Sequence, residues 1–161
     1  MNDGLTIYPA KTEQDLDTVR ELFREYQDWL GVDLCFQGFE DELASLPGKY
    51  APPHGGVYLV RDDEAEEIAA CVAYRPAENG RAEMKRLYVR DKWRGYGLGR
   101  ELANLCLSEA KGSGYSHMCL DTLGHLDAAI QLYASMGFRE IEAYYENPLD
   151  GVRYMEIDLA K

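Results

Sequence analysis

Three glycines at alternate positions, Gly95, Gly97 and Gly99, separate an apolar strand-like run from a helical repeat. No other feature of the chain limits its fold so tightly. Glycine permits left-handed backbone and lets other atoms approach closely. A helix that begins at such a turn points its unpaired N–H groups outward, together with the positive end of its dipole. Strand, glycine turn and helix start, in that order, make a seat for an anion. Arg94 and Arg100 flank the turn and add two charge-assisted donors. The turn is not a P-loop, because G-x-x-x-x-G-K-[ST] is absent. It also fails G-x-G-x-x-G, because position 100 is arginine.

The rest of the chain supplies elements on both sides of this turn. Leu5 to Ala10 alternates as a first strand. Thr12 and Asp15 make a capping box, with Asp in place of Glu, for a helix whose apolar face runs Leu16, Val19, Phe23, Tyr26, Leu30. Phe36 to Leu46 reads as a second, shorter helix. Strands follow at Val57–Asp62, Glu67–Tyr74 and Arg81–Val89, the last pair joined by the Asn79-Gly80 turn signal. After the glycines, Leu98, Leu102, Leu105 and Cys106 stripe a helix that Gly112 and Gly114 close. A strand at His117–Thr122, a helix at Leu126–Met136, and strands at Phe138–Ala143 and Val152–Leu159 complete the chain. The order is β-α-α-β-β-β-α-β-α-β-β. It predicts one α/β domain over residues 1–161, with a mixed, mostly antiparallel central sheet and about four flanking helices.

Charge narrows the function classes. Lys and Arg number 17 against 29 Asp and Glu, a net charge of −12. A broad phosphate-tracking surface is not expected, so nucleic acid is excluded as a partner. The longest apolar run, Ile68 to Tyr74, has seven residues, where a membrane span needs about 20. The stretch MNDGLTIYPAK does not read as a secretory signal, so the expected home is the cytoplasm. Cys35, Cys71, Cys106 and Cys119 show no paired spacing and the three His are scattered, so no metal site is expected.

Arg94-Gly95-Tyr96-Gly97-Leu98-Gly99 resembles the [RQ]-x-x-G-x-[GA] acetyl-CoA signature of the GNAT (Gcn5-related) N-acetyltransferases. Glu83 to Val89 is similar to the family's fourth strand, at the matching distance before the glycines. Ala129-Ile130-Gln131-Leu132-Tyr133 with Gly137-Phe138 is similar to its A-I-x-L-Y-x-x-x-G-F segment. The resemblance implies acetyl-CoA as co-substrate. It implies a pyrophosphate seat on the main chain from Arg94 through Gly95, Tyr96, Gly97, Leu98 and Gly99 to Arg100. It also implies main-chain pairing of the pantetheine arm with Leu87 and Val89, with the Leu87 N–H facing the thioester oxygen.

Two catalytic residues follow from the same match. Glu83 stands where many members carry a general base, which is needed because an alkyl ammonium with a pKa near 10 cannot attack. Enclosure beside apolar residues predicts a raised pKa for it. Strand alternation puts Lys85 on the face of Glu83 and Arg86 on the other. Tyr133 matches the tyrosine that protonates the departing thiolate. One position departs from the pattern: Leu126 stands where many members have Asn, and the contact is either lost or supplied from elsewhere, by His125 or Asp127.

The acceptor pocket implied by the family lies between the first two helices and the last hairpin. Tyr26, Gln37, Tyr145 and Asn147 are its candidate substrate-binding residues, in an aromatic-rich set that also holds Tyr50 and Tyr144, with Trp29 and Phe36 either pocket or core. An acceptor carboxylate could pair with Arg86 or Arg153. The expected partner is a small-molecule or peptide amine, and a homodimer is compatible with the reading. The reading is direct acetyl transfer to a primary amine. The alternative is a non-catalytic acyl-CoA-binding or interaction domain on the same scaffold.

Overall fold

The computed structural model describes residues 4–34 and 38–160. The first helix forms as its cap dictates. Thr12 Oγ1 accepts the Asp15 N–H at 3.0 Å, and the Asp15 carboxylate accepts the Thr12 N–H at 3.1 Å. Helix α1 (Glu13–Leu30) then runs until Gly31 turns left-handed at φ 75°. It buries Leu16, Val19, Leu22, Phe23 and Leu30 against the sheet.

The order is β1 (Leu5–Pro9), α1, α2 (Phe39–Ser45), β2 (Gly56–Asp62), β3 (Glu67–Pro76), β4 (Arg81–Val89), α3 (Leu98–Gly112), β5 (His117–Leu123), α4 (Asp127–Ser135), β6 (Arg139–Ile141) and β7 (Val152–Asp158). Short 3₁₀ turns precede β2 and α3. The α/β expectation is met by one seven-stranded sheet, ordered β1-β2-β3-β4-β5-β7-β6. Every neighbouring pair is antiparallel except β4 with β5. Helices α1 and α2 cover one face and α3 and α4 the other, each over its own apolar cluster.

Two of the boundary differences from the sequence reading bear on the site. Helix α2 starts at Phe39, after Gly38 at φ 71°; Cys35, Phe36 and Gln37 lie outside the described residues. Strand β6 stops at Ile141 rather than Ala143. The chain leaves the sheet because the next two tyrosines find better partners inside. Their rings pack on Tyr154 at 5.3 and 5.6 Å, and their hydroxyls bond Glu83 and Asp121.

The β3–β4 hairpin has Asn79 and Gly80 both at positive φ, as its turn signal requires. Further along, β4 carries a bulge. Cys71 pairs with Tyr88 but Ala73 pairs with Lys85, so Arg86 and Leu87 together oppose Val72. Arg86 takes the extra position at φ 62°, a left-handed conformation that costs a non-glycine residue about 1–2 kcal/mol. Its guanidinium reaches α2, where two nitrogens donate to Glu42 at 3.0 and 3.1 Å over the ring of Phe39.

The bulge corrects the alternation drawn from sequence. Arg86 lies on the same side as Lys85, because one inserted residue reverses the parity of the strand. Ala82 and Met84 before it, and Leu87 and Val89 after it, all pack on the α3–α4 side. No described helix is long and apolar enough to cross a membrane.

Candidate active site

Strands β4 and β5 pair only over Arg81–Glu83 and His117–Cys119. Beyond that they separate, and a cavity of about 360 Å³ opens between them. Its walls include Leu87, Tyr88 and Val89 of β4, Leu120 to Leu123 of β5, and Ala129, Leu132 and Tyr133 of α4. It reaches Arg94 and Gly99 at one end, and Tyr26, Leu30, Asn147 and Leu149 at the other. The Arg90 N–H donates to Ala69 of β3. Alternation therefore turns the main-chain groups of Val89 and Leu87 toward the gap. The Val89 carbonyl accepts Arg94 Nε at 2.8 Å.

The glycine turn sits at the first end. Gly95 and Gly97 have φ of 87° and 81°, and Gly97 caps α3 with no side-chain acceptor. The first N–H groups of α3 are thus left without a side-chain cap. Leu98 is buried in the core, Tyr96 is exposed, and Arg100 bonds Ser135 of α4 at 2.7 Å. Arg94 lies over Trp29 at 5.0 Å, so Trp29 is an exposed residue at the cavity rim and not core.

Tyr133 is buried, its ring edge-on to Phe138 at 5.6 Å. Its hydroxyl has no hydrogen-bond partner among the described residues. Burial holds that hydroxyl protonated well above the usual tyrosine range, and the Asp121 charge adds to the effect. It is a donor wherever the pH is physiological.

Glu83 does not line the cavity; it lies one layer behind, under Lys85. Arg75 Nε donates to one oxygen at 3.1 Å and the Tyr144 hydroxyl to the other at 2.7 Å. Lys85 Nζ is 3.9 Å from that second oxygen and 3.7 Å from Asp121 Oδ1. Burial acts to raise the Glu83 pKa, but the charges of Lys85 and Arg75 and both hydrogen bonds outweigh it. The carboxyl sits below the usual range, opposite to the direction expected from enclosure alone. Burial in turn lowers Lys85 despite its two carboxylates.

This direction has a consequence for stability. A carboxyl with a depressed folded pKa stabilises the fold above its unfolded pKa of about 4.3 and stops doing so as pH falls through the folded value. Glu83→Gln should therefore cost about 3–5 kcal/mol at pH 7, by leaving buried Lys85 and half-buried Arg75 undercompensated. The gap between variant and parent should narrow as pH drops below about 4. Urea midpoints taken from pH 7 to pH 3 check this; a gap constant with pH rules out the ion pair as its source.

Other expectations resolve as follows. Tyr26 and Asn147 line the cavity; Tyr145 stands behind it, bonding Asp121 and accepting from Asn147 at 2.9 Å. Gln37 lies outside the described residues. Leu126 lines the cavity, while His125 and Asp127 are exposed and do not. Arg86 is taken by Glu42, and Arg153 pairs with Glu140 at 2.7 Å, so neither is held ready for an acceptor carboxylate. Burial pushes the Cys119 thiol up to about 11, and the Glu83 charge adds to it, so it is no thiolate near neutrality. Among the described residues no group of His, Cys, Asp or Glu is arranged to hold a metal ion.

The sequence reading missed Asp121 and Arg75, offered Tyr144 for the acceptor pocket rather than as a partner of Glu83, and took Lys85 only as a surface partner of Glu83. The signal was there for one of them: Asp121 is a lone carboxylate within a mainly apolar strand, and such a charge is buried only with partners.

A model of the acetyltransferase (GNAT) family matches residues 16–138, from α1 to the start of the last hairpin. The chain belongs to this family of N-acetyltransferases. A relative from Schizosaccharomyces pombe, named as an uncharacterized N-acetyltransferase, is 44% identical over 159 residues, covering 98% of this chain and 97% of its own. A GNAT-family acetyltransferase structure from Staphylococcus aureus superposes with a TM-score of 0.79 at 18% identity, over 96% of this chain and 99% of that one. An acetyltransferase from Salmonella typhimurium, solved with its cofactor acetyl-CoA, has a TM-score of 0.71 at 18% identity, over 98% and 95% of the chains. In this GNAT chain the gap between β4 and β5 is lined by the candidate residues Tyr26, Leu87, Val89, Tyr133 and Asn147.

Proposed function

We propose that the protein transfers an acetyl group from acetyl-CoA directly to a primary amine of a small molecule or peptide. The observation that carries this reading is the separation of β4 from β5 over a cavity joining the glycine turn to Tyr133. The acetyl-CoA bound to the Salmonella protein supports the choice of donor.

Each group then has a task. The N–H groups from Gly95 to Arg100 hold the pyrophosphate, helped by the α3 dipole. Leu87 and Val89 offer the pantetheine arm a strand edge, with the Arg94 guanidinium sharing the Val89 carbonyl. The Leu87 N–H stabilises negative charge on the thioester oxygen. Tyr133 donates its proton to the leaving thiolate. Glu83 takes the proton of the amine through water, since it does not line the cavity. A carboxylate held below its usual pKa is a weak base. Lys85 and Arg75 assist by disfavouring a second ammonium beside them, which favours the neutral amine.

Release of thiol from acetyl-CoA across a panel of primary amines tests the activity. Amine-dependent release is expected. Binding of acetyl-CoA with no release for any amine would leave the non-catalytic acyl-CoA-binding reading. The donor seat has its own test in Gly97→Val. A Cβ at Gly97 meets nothing within 4 Å, so the cost to the fold is the backbone strain introduced at φ 81°, about 1–2 kcal/mol. The side chain would stand where the pyrophosphate must approach. Affinity for acetyl-CoA should fall about 100-fold, near 2.7 kcal/mol. Unchanged calorimetric affinity in a folded variant removes the turn as the seat.

A further inference from the structure

We propose that the acceptor is a monoamine on an apolar body, bound with its nitrogen donating to Asp121 Oδ1; this rests on the acetyl-transfer reading above. Asp121 is the one carboxylate among the described residues that line the cavity. Its Oδ2 accepts the Tyr145 hydroxyl, which in turn accepts from Asn147, and this chain fixes the carboxylate. Its Oδ1 accepts no hydrogen bond among the described residues, because Lys85 Nζ at 3.7 Å is beyond reach for one. That oxygen has room for a donor. The Asp121 charge also bears on Tyr26 and on Tyr133, which places the carboxylate in the neighbourhood of the proposed acid.

The remainder of the acceptor end is largely apolar. Among the described residues its wall includes Tyr26, Leu30, Val32, Leu34, Leu123 and Leu149, beside Asn147 and the ion-paired Lys85 and Arg86. A second ammonium on the acceptor, as in a polyamine, would be buried against that wall without a counter-charge, which is strongly unfavourable. An acceptor carboxylate fares no better. It would lie near Asp121, and the cations around the cavity are already matched. Arg86 is bidentate to Glu42, Arg94 pairs with Asp91, and Lys85 stands between Glu83 and Asp121. One amine and a hydrophobic body is the chemistry that satisfies both halves of the pocket.

Calorimetry on the whole chain with coenzyme A present, using 2-phenylethylamine, hexylamine, spermidine and phenylalanine, tests the assignment. Both monoamines should bind about 10-fold or more tighter than spermidine and phenylalanine. Asp121→Asn should weaken them by about 10- to 100-fold, the loss of a charged hydrogen bond, with coenzyme A affinity unchanged. Val32→Asp, at a partly exposed loop position, should narrow the gap between monoamines and spermidine. Failure of both monoamines to bind, or a preference for spermidine or phenylalanine, overturns the substrate class. Monoamine binding indifferent to Asp121→Asn overturns the residue. Should that variant not fold, an unchanged preference in Val32→Asp overturns the proposal and a narrowed one supports it. Thiol release measured alongside separates the two readings. Asp121-dependent monoamine binding without release keeps the site and sinks acetyl transfer. Release with phenylalanine or spermidine as best acceptor keeps transfer and sinks the monoamine.

Discussion

Tyr133→Phe should slow turnover by about 10- to 10³-fold while acetyl-CoA affinity stays nearly unchanged. The asymmetry follows from when the hydroxyl matters. A thioester sulfur is a poor hydrogen-bond acceptor, so the ground state gains little from Tyr133. Charge builds on sulfur as the C–S bond breaks, and a donor there stabilises the transition state alone. Such an interaction is read in kcat and not in binding. Phenylalanine keeps the ring, its edge contact with Phe138 and its place in the α4 core. The hydroxyl bonds nothing within the described protein, so its loss leaves no buried partner stranded. Single-turnover rates beside calorimetry make the check. Equal rates for the two proteins, where chemistry limits, dismiss Tyr133 as the acid; lost affinity with an intact rate makes it a cofactor contact.

Arg86→Ala should cost about 3–5 kcal/mol of stability, because Glu42, charged and mostly enclosed, is left without its partner. Arg86→Gly should cost less by about 1 kcal/mol. Both variants lose the ion pair, but only glycine sits at φ 62° without strain. The order wild type, Gly, Ala is unusual for a strand, where glycine normally ranks below alanine. Urea unfolding of the three proteins reads it directly. Alanine within 1 kcal/mol of the parent would show that the Glu42 pair contributes little, and alanine above glycine would show that the bulge relaxes.

The reversal at Arg86 also marks where the sequence stops being legible. Thr12 with Asp15 forecasts the start of α1 because a capping box is a local arrangement of side chain and backbone. Asn79-Gly80 forecasts a hairpin because few other residues tolerate two positive φ values. The alternating glycines forecast the start of α3 for the same reason. The bulge has no such mark: arginine is a poor choice for left-handed backbone, and its tertiary partners, the distant Glu42 and Phe39 with Cys71 on β3, hold it there. Everything after it on β4 therefore faces the other way from a simple count. The Glu83 pKa is hidden for a similar reason. Enclosure is readable from its apolar neighbours, but Arg75 and Tyr144 arrive from eight residues before and 61 residues after it. Asp121 needed less: one carboxylate in the run His117–Leu123 was visible and went unweighed.

The parting of β4 from β5 bears on self-association as well. An exposed strand edge recruits neighbouring chains and seeds aggregates. Here the unpaired edge lies fourth in a seven-strand sheet, roofed by α1 on one side and α4 on the other. A strand from a second molecule, with side chains standing above and below its plane, would meet a helix on either face. A slender, unbranched guest, such as the arm of the proposed donor, would not. Such roofing would reserve the edge for a linear guest and keep it from other proteins.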